Sequence, residues 1–259
     1  MKARLDQELV RRGLVATRSQ AKSYINLGKV LINDKITNKT VLFVADSDII
    51  KVIGGEQYVS RAGLKLASVA DKLGLDFSGK IVLDVGSSTG GFTDFALRHG
   101  AKKVIAVDVG TDQMHPKLRA DSRVELHEKT DIRDVITSQL ARNSFAHSTE
   151  KNSSRVQIDI PNTIVIDVSF ISLRKILPHI AKNLAEHDTQ IVAMLKPQFE
   201  TGARVKNDGV IKNDTERRKI LHDFELWTRK YFVIKNKKDS EVAGATGNRE
   251  RFYLLRTSS

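Results

Sequence analysis

The sequence contains no cysteine and only 4 prolines in 259 residues. Without cysteine the chain has no disulfide, no thiolate nucleophile, no CxxC redox pair and no cysteine-ligated zinc site. No metal site is predicted, and a reducing compartment fits this composition. With 16 glycines and 40% hydrophobic residues, the composition also argues against collagen-like, disordered and coiled-coil chains. The length suits one large domain, or one domain with a small module.

Long apolar runs are also missing. A membrane-spanning helix needs about 20 apolar residues, and the longest runs here, such as 164–166 and 191–195, have the length of strands. The first residues, MKARLDQELVRRG, carry charges where a secretory signal would have its apolar segment. The sequence therefore predicts a cytoplasmic protein that does not enter the membrane.

Acidic residues are fewer than basic ones. Lys and Arg number 43 against 31 Asp and Glu, which gives a formal charge of +12. Such an excess indicates a polyanionic partner, either nucleic acid or an anionic membrane surface. Because no apolar segment supports membrane binding, nucleic acid is favoured. The charge is densest in residues 1–36, which contain eight basic and three acidic residues and so have a net charge of +5.

Residues 1–58 form a unit of their own in the sequence pattern. Leu5 and Leu9 recur at helical spacing before Gly13, and a second helix begins after a plausible N-cap, Thr17, and ends near Gly28. Short strands are predicted at 30–32 and 41–44, joined by a turn around Asn33 and Asp34. A charged helix pair of this kind is often no more than a solvated surface.

The order of residues in this unit favours a more specific interpretation. RLD at 4–6, RGL at 12–14, TR at 17–18 and VLIN at 30–33 closely resemble the S4 RNA-binding domain, a small αL module. The resemblance implies that the two helices form a basic surface that reads RNA backbone geometry more than bases. The candidate RNA-binding residues are Arg4, Arg12, Arg18, Lys22, Lys29 and, just after the module, Arg61.

From residue 61 onward, segments of strand length alternate with segments of helical periodicity. This alternation predicts an α/β, Rossmann-like domain with a mostly parallel sheet between two helical layers. The last two strands follow each other with only a loop between them, which indicates an antiparallel edge. Strands are predicted at 81–85, 104–108, 124–127, 164–168, 191–196, 233–237 and 252–255, and helices at 61–73, 92–99, 173–185 and 214–230.

The predicted domains are therefore residues 1–58 and 59–259. Residues 137–162 are rich in Ser, Asn, Gln and charge, with little periodicity. A loop of that length is uncommon inside a compact domain. The segment is predicted to be a flexible insertion.

A glycine-rich turn follows the first predicted strand of the α/β domain, in the string IVLDVGSSTGGFT at 81–93. Glycines let the backbone turn sharply and approach a ligand closely. A pyrophosphate would prefer amide groups alone, whereas a carboxylate before the first glycine suits a cationic ligand. S-adenosylmethionine carries both an ammonium and a sulfonium. The predicted cofactor-binding residues of this string are Asp84, Gly86, Ser87, Ser88, Gly90, Gly91 and Phe92.

Two further carboxylates follow the next strands. Asp108 ends the second strand, 22 residues after Gly86, where it can accept hydrogen bonds from ribose hydroxyls. Asp131 follows the third strand and is expected to accept a bond from the adenine amino group. Each acid alone is more typical of a helix N-cap or a solvated loop. Three at consecutive strand ends favour an adenosine cofactor, because open α/β sheets bind ligands at that edge.

Four more charged residues border apolar segments: Lys65 in SRAGLKL, Asp167 in IVIDVSF, Lys196 in MLKPQFE and Glu250 in NRERF. A carboxylate in an apolar run is costly unless it is paired or lies at the wet end of the strand. The proline after Lys196 favours an extended backbone, which places Lys196 at a strand rim. Taken singly, each residue is typical of a surface charge.

Together these four residues resemble the Lys-Asp-Lys-Glu tetrad of the FtsJ-like RNA 2′-O-methyltransferases, in the same order. With the S4-like module in front, the resemblance covers nearly the whole chain and points to the TlyA family, long labelled hemolysin-like. It implies S-adenosylmethionine-dependent 2′-O-methylation of a cytidine in 23S ribosomal RNA, with 16S ribosomal RNA as a further candidate. The implied partner is ribosomal RNA or a ribosomal subunit.

The implied chemistry gives each tetrad residue a role. A ribose 2′-hydroxyl is a poor nucleophile, and its proton must leave as the oxygen attacks the methyl group. Guided by the family, Lys196 is the expected base, and Lys65 stabilises charge on the oxygen. Asp167 and Glu250 orient the lysines and the ribose. Two alternatives stay open, an RNA-binding assembly factor without turnover and a membrane-active hemolysin.

Overall fold

Two regions of different architecture follow each other along the chain in the computed structural model. A small α+β module lies at the N-terminal end, and the elements of a larger α/β region follow from the helix Arg61–Leu73 onward. The residues that the structure describes are 2–15, 17–26, 29–39, 41–52, 58–139, 155–201, 210–211, 213–242, 244 and 247–258.

In its described residues, the N-terminal module contains two helices and five short strands. Its elements are β1 (Lys2–Arg4), α1 (Leu5–Arg11), α2 (Arg18–Asn26), β2 (Val30–Ile32), β3 (Lys35–Thr37), β4 (Phe43–Ala45) and β5 (Ile50–Val52). Strand β2 pairs antiparallel with β3 and β5, while β1 pairs antiparallel with β4. The side chain of Thr17 accepts a hydrogen bond from Gln20 N at 3.2 Å, which confirms Thr17 as the N-cap of α2.

The predicted hairpin of this module was wrong in its second strand. Asn33 and Asp34 do make the turn, and both have positive φ, as a tight two-residue hairpin turn requires. The turn joins β2 to Lys35–Thr37 rather than to the predicted strand at 41–44. The strand in that region is Phe43–Ala45, and it pairs with β1 instead. The predicted helix stop at Gly28 lies outside the described residues.

The α/β region is built on a seven-stranded sheet, and its strands at Val135–Thr137 and Val156–Ile158 form a separate two-stranded sheet. Its elements are α3 (Arg61–Leu73), β6 (Ile81–Val85), α4 (Gly91–Arg98), β7 (Lys103–Val107), α5 (Pro116–Arg119), β8 (Val124–His127), β9 (Val135–Thr137), β10 (Val156–Ile158), β11 (Thr163–Ile166), α6 (Leu177–Asn183), β12 (Gln190–Leu195), α7 (Asp214–Thr228), β13 (Phe232–Asp239) and β14 (Arg251–Thr257). Short 3₁₀ turns lie at Ile132–Asp134, Leu173–Lys175 and Pro197–Phe199.

The seven-stranded sheet has the order β13-β14-β12-β11-β6-β7-β8. Strands β12, β11, β6, β7 and β8 run parallel, and β14 is antiparallel to both β12 and β13. The predicted parallel sheet and its antiparallel edge are thus confirmed. From β6 the chain builds β7 and β8 on one side and β11 and β12 on the other. Such a switch in strand order opens a crevice at the carboxyl ends of the strands, where ligands bind.

Alternate residues of the strands enter two different cores. Val82, Val104 and Val165 belong to a cluster on one face of the sheet, whereas neighbouring residues such as Leu83 and Ile105 belong to a cluster on the other face. This period of two follows from strand geometry. Both faces are apolar because helices cover both.

The first core cluster continues into the N-terminal module. Leu5 and Tyr24 of the module and Leu64 of α3 are members of the same buried cluster. At the junction, Val59 N donates a 2.9 Å hydrogen bond to Asp94, and the Tyr58 ring lies 5.5 Å from that of Phe95. The module therefore packs on the helix that carries Lys65. The domain boundary between residues 58 and 59 stays a prediction.

The predicted insertion at 137–162 is too wide. Thr137 ends β9, and Val156–Ile158 forms β10, which pairs with β9 in parallel. Ile158 is buried in the second core cluster, and Asn162 accepts a hydrogen bond from Ile81 N at 2.9 Å. Both ends of the segment are therefore part of the fold, and the rest of it, 140–154, lies outside the described residues. No helix within the described part of the chain is long and apolar enough to span a membrane.

Candidate active site

The candidate site lies at the carboxyl ends of the central strands. Asp84 is in β6, Asp108 directly follows β7, Asp167 directly follows β11 and Lys196 directly follows β12. Because these four strands are parallel neighbours, their carboxyl ends meet at one edge of the sheet. The topology thus brings together residues that are more than 100 positions apart in the sequence.

The glycine-rich turn after β6 forms the floor of the site. Gly86 has φ +80°, and a Cβ at that position would lie 2.7 Å from the backbone oxygen of Asp167. Only glycine allows β6 and β11 to approach so closely here. Gly90, with φ +91°, begins α4 in the left-handed conformation. Backbone conformation and close packing therefore both require the glycines that the sequence singled out.

A cavity of about 410 Å³ opens above this turn, and it is called the cofactor cavity because predicted cofactor residues line it. Its lining includes Gly86, Ser88, Asp108, Asp131 and Asp167. Asp108 accepts hydrogen bonds from Ser88 N and Gly110 N, both at 2.7 Å. Each carboxylate oxygen can accept a second bond, so Asp108 both orders the loop and offers lone pairs to a ligand. The volume falls in the range of small-molecule sites.

Asp131 lies in this cavity, but its carboxylate already has partners. It accepts bonds from Arg133 N at 2.9 Å and from the Arg133 guanidinium at 2.6 and 2.9 Å. These bonds lower the pKa of Asp131. The carboxylate caps the 3₁₀ turn at Ile132–Asp134, the N-cap role that the sequence left open. The predicted bond to adenine would have to use its remaining lone pairs.

A smaller cavity of about 130 Å³ adjoins the first and shares Gly86, Ser88, Asp167 and Ser169 with it. Asp84 and Lys196 also line it, as do the predicted cofactor residues Ser87 and Phe92. Gly91 lies beside it at the start of α4, packed against Ser60 and Gly63. The small cavity therefore joins the cofactor cavity to the predicted reaction residues.

Asp84 is the most strongly perturbed group of the site. Its side chain is 1% exposed, and Oδ2 accepts a 2.6 Å hydrogen bond from Thr93 Oγ1. Oδ1 is buried and has no hydrogen-bond partner in the structure. Burial raises the pKa of Asp84 to about 7, against the hydrogen bond from Thr93, and the charge of Asp167 adds to the rise. A buried acceptor without a partner is costly and marks a place for a hydrogen-bond donor or a cation.

The four predicted reaction residues form two ion pairs. Lys65 Nζ lies 2.7 Å from Oε1 of Glu250, and this pair is almost fully buried. Lys196 Nζ lies 2.6 Å from Oδ1 of Asp167 and donates a 2.7 Å hydrogen bond to Ser169 Oγ. The contact with Asp167 is an ion pair whose angles do not meet those of a hydrogen bond.

The two pairs act on each other electrostatically. Burial raises the pKa of Glu250, Lys65 opposes the rise, and the charges of Asp167 and Lys196 also reach this carboxyl group. Glu250 Oε2 is buried without a hydrogen-bond partner in the structure. Asp167 and Lys196 line the small cavity, and the buried pair of Lys65 and Glu250 lies close enough for the charges of Asp167 and Lys196 to act on Glu250.

Sequence reasoning missed Glu200, which connects two loops of the site. Its carboxylate accepts hydrogen bonds from Ser172 Oγ at 2.6 Å and Leu173 N at 2.8 Å. Burial raises its pKa, which these bonds oppose. Glu200 thus ties the turn after Lys196 to the loop after Asp167. Glu200 is the glutamate of the KPQFE string, in which the sequence analysis gives a role only to the lysine.

The basic residues of the module differ in how freely they can meet a ligand. Asp6 is fully buried and pairs with Arg4 at 3.0 Å and Arg18 at 3.1 Å. Arg12 donates to Glu8 and to the backbone oxygens of Ala45, Asp46 and Asp48. The predicted role of Arg12 on an RNA-facing surface therefore conflicts with its contacts, because almost all of its donors are used inside the module.

The other candidate RNA-binding residues are more open. Lys22 is exposed and Lys29 and Arg61 are half-buried. Lys22 and Arg61 make no ion pair with any residue in the described ranges. Hydrogen bonds from Arg11 and Arg12 lower the pKa of Glu8 to about 2, so Glu8 stays ionised and holds these two arginines in place. Asp6 pairs with Arg4 and Arg18 in the same way.

Comparison with known proteins agrees with this geometry. The FtsJ-like methyltransferase family matches residues 58–257, and the S4 domain family matches residues 3–50. Hemolysin A of Brachyspira hyodysenteriae is 39% identical over 250 residues, covering 95% of this chain and 97% of that protein. The 16S/23S rRNA (cytidine-2′-O)-methyltransferase TlyA of Mycobacterium tuberculosis is 34% identical over 271 residues, covering 100% of this chain and 91% of that protein.

A solved structure shows the same architecture. A protein of Streptococcus thermophilus, described as a hemolysin, is 35% identical and superimposes with a TM-score of 0.67, covering 100% of this chain and 89% of that one. Family matches to both regions, and relatives that extend over the whole chain, agree with each other. The chain therefore belongs to the FtsJ-like methyltransferase family, among the members that carry an S4 domain and include TlyA.

Proposed function

We propose that this protein transfers a methyl group from S-adenosylmethionine to the ribose 2′-hydroxyl of a cytidine in ribosomal RNA. The observation that carries the proposal is a small cavity next to the cofactor cavity that Asp167 and Lys196 line, with the buried pair of Lys65 and Glu250 within electrostatic reach of both. The names of the relatives in Mycobacterium tuberculosis and Campylobacter jejuni supply the choice of cytidine and of 23S ribosomal RNA, with 16S as a second candidate.

The residues of the two cavities fit S-adenosylmethionine. Asp108 faces the larger cavity, where it would hold the ribose hydroxyls, and the partnerless Oδ1 of Asp84 lies at the smaller one, where it would meet the ammonium. The close approach of Gly86 to Asp167 leaves no space for a side chain in between. When bound, the cofactor supplies a methyl group on a sulfonium, which makes a neutral thioether the leaving group.

The accessibility of the two lysines supports Lys196 as the proton acceptor. Lys196 lines the small cavity, so its amine can reach a hydroxyl placed there. Lys65 is held by Glu250 in a pair that is 8% and 3% exposed, which suits a fixed positive charge beside the developing oxyanion. Ser169 and Asp167 orient the amine of Lys196. Positioning of the ribose contributes to the rate along with proton transfer.

An aromatic ring at the mouth of the cofactor cavity supports an RNA substrate. Phe170 is 91% exposed, has φ +64° and lies 5.3 Å from the ring of Phe199. An exposed phenylalanine in a left-handed conformation is costly both in backbone energy and in apolar exposure. Single-stranded RNA bases stack on rings of this kind.

The direct test is methyl transfer. Purified protein, labelled S-adenosylmethionine and ribosomal subunits from cells without this protein are expected to give label in ribosomal RNA, and mass spectrometry is expected to place it on a cytidine 2′-oxygen. The control is the same RNA incubated with labelled S-adenosylmethionine without the protein. RNA binding without transfer would support the assembly-factor alternative. Dye release from liposomes without transfer would support the hemolysin alternative.

Asp108 provides a test of the cofactor site. Asp108→Ala is expected to weaken S-adenosylmethionine binding by about 1.5 to 3 kcal/mol, roughly ten- to 150-fold, because a charged hydrogen bond is lost. Calorimetry measures the affinity. Asp159→Ala is the matched control, since Asp159 is exposed and pairs with Lys103 at the amino end of β7. Equal affinity of a folded Asp108→Ala variant and the control would remove Asp108 from the site.

The N-terminal module provides a test of RNA binding. RNA affinity is expected to fall steeply with salt, because phosphate contacts release counterions. Lys22→Gln is expected to lower the slope of log affinity against log salt by about 0.7 to 0.9, one phosphate contact. Arg12→Gln is expected to lower the melting temperature instead, because Glu8 and three backbone oxygens each lose a hydrogen bond from the guanidinium group. Salt-independent affinity of the wild type would contradict this role of the module.

A further inference from the structure

A cavity larger than the two cavities of the candidate site lies between the N-terminal module and the α/β region. It measures about 690 Å³ and is called the seam pocket here. Thr17 and Gln20 of the module form one wall, and residues 58–62 at the start of α3 form another. Lys65, Arg98 and Lys117 also line the pocket. Both regions of the chain are therefore needed to form this pocket.

The seam pocket is lined by positive charge. Arg61, Lys65, Arg98 and Lys117 all contribute, and no carboxylate occurs among its described lining residues. Lys65 is paired with Glu250 and Arg98 with Asp94, whereas Arg61 and Lys117 make no ion pair within the described part of the chain. Uncompensated cations in a concave site concentrate anions there.

The cofactor cavity has the opposite character. Three carboxylates line it, those of Asp108, Asp131 and Asp167, and no lysine or arginine is among its described lining residues. A cationic cofactor and a polyanionic substrate therefore each have a cavity of complementary charge. Both cavities adjoin the small cavity, because Ala62 lines the seam pocket and the small cavity, and Asp167 lines the small cavity and the cofactor cavity.

We propose that the seam pocket binds the sugar–phosphate backbone of the RNA strand next to the target ribose, with Arg61 and Lys117 as its phosphate contacts. This inference rests on the proposed function and adds the path of the RNA strand next to the reaction residues. The module then does more than supply affinity. Thr17 and Gln20 close the pocket beside Lys65, so the module sets which nucleotide reaches the tetrad.

The absence of cysteine from the chain allows a direct test. In the variant Lys117→Cys, the cysteine carries a tethered iron chelate that cleaves nearby RNA. The matched control is Lys102→Cys with the same chelate, because Lys102 is exposed and precedes β7 at the opposite end of the sheet. Ribosomal subunits from cells without this protein serve as the RNA. The probe at 117 is expected to cleave around the methylated nucleotide, and the probe at 102 is not. Identical cleavage patterns from the two positions would overturn the proposal.

A second measurement does not depend on turnover. Arg61→Gln with Lys117→Gln is expected to lower the salt slope of RNA binding by about 1.4 to 1.8, two phosphate contacts, and to leave calorimetric S-adenosylmethionine affinity unchanged. Lys102→Gln is expected to change neither. A double variant that binds RNA like Lys102→Gln would overturn the seam-pocket proposal even if the enzyme methylates RNA. A wild type that transfers no methyl group would count against the proposed function alone.

Discussion

Lys196→Ala is expected to lower the single-turnover rate of methyl transfer by about 10²-fold or more, while RNA and cofactor affinities change little. The reason is that Lys196 is the tetrad amine that lines the small cavity, so its loss removes the proton acceptor. Rapid-quench measurement with saturating cofactor and RNA isolates this step from binding. A folded Lys196→Ala enzyme with nearly the wild-type rate would falsify the scheme and leave Lys196 as a phosphate contact or a surface charge.

The other tetrad variants are expected to differ in a way that the two ion pairs explain. Lys65→Ala and Asp167→Ala should also lower the rate by about 10²-fold, since one removes a charge and the other an orienting partner. The orienting role that the sequence analysis gives Glu250 predicts a milder loss of rate for Glu250→Ala, because losses of orientation vary more than losses of proton transfer. The structure predicts a loss of stability as well, because Lys65 would stay buried without its partner, at about 3 to 5 kcal/mol.

Glu250→Gln keeps the shape of the side chain and serves as the comparison for that prediction. It is expected to melt at a higher temperature than Glu250→Ala, because the amide oxygen can still accept a bond from Lys65. Both variants lack the negative charge, so both are expected to transfer methyl groups slowly. Equal stability of the wild type and Glu250→Ala would show that the buried pair contributes nothing to folding.

Asp84→Asn is expected to weaken S-adenosylmethionine binding by about 3 kcal/mol, roughly 10²-fold, and yet to stabilise the protein without cofactor. Binding suffers because a buried carboxylate is the expected partner of the cofactor's ammonium. Stability rises because Asp84 is buried with one oxygen unpaired, and an amide avoids the cost of that charge. Calorimetry and thermal melts at pH 8 measure the two effects.

The pH dependence of this stability difference has a definite sign. The folded-state pKa of Asp84 is raised to about 7 from 3.8, so the folded state binds a proton more tightly than the unfolded state does. The ionised Asp84 therefore lowers the free energy of unfolding of the wild type above about pH 7. This destabilisation decreases as the pH falls from 7 to 4. Its full size is at most about 4 kcal/mol.

The expected result is a gap between Asp84→Asn and the wild type that is widest at pH 8 and closes toward pH 4. Comparing the two proteins cancels the contribution of other acids, such as Asp239, whose pKa is lowered and which lose stability in acid. A gap that stays constant over this range would mean that Asp84 does not titrate. A variant that binds the cofactor as tightly as the wild type would remove Asp84 from the ammonium site.

Local patterns in the sequence were sufficient for the secondary structure of the sheet and for the glycine turn. The strand at Ile81–Val85 and the helix at Arg61–Leu73 lie where they were predicted, because buried strands and amphipathic helices each leave a periodic apolar pattern over a few residues. The requirement for glycine at residue 86 could be inferred in the same way, since a tight turn is a local property.

Pairing across the fold could not be read in this way. The hairpin at Asn33 and Asp34 and the strand at Val156–Ile158 were misjudged because short strands of few apolar residues give a weak pattern, and their partners are chosen by the register of the whole fold. The basic run of the module likewise predicted that Arg12 lies on an RNA-facing surface, whereas Arg12 donates to backbone oxygens inside the module that the local sequence does not place there.

By itself the sequence determined the fold class, the family resemblance, the position of the glycine turn and the choice of the four candidate tetrad residues, because all of these are carried by short strings. Only the tertiary structure decided that Lys65 pairs with Glu250, which is 185 residues away, that Asp84 is buried with an unpaired oxygen, and that a basic pocket lies where the module meets α3. Distance, burial and local charge depend on which segments the chain topology brings together, and no short string records that.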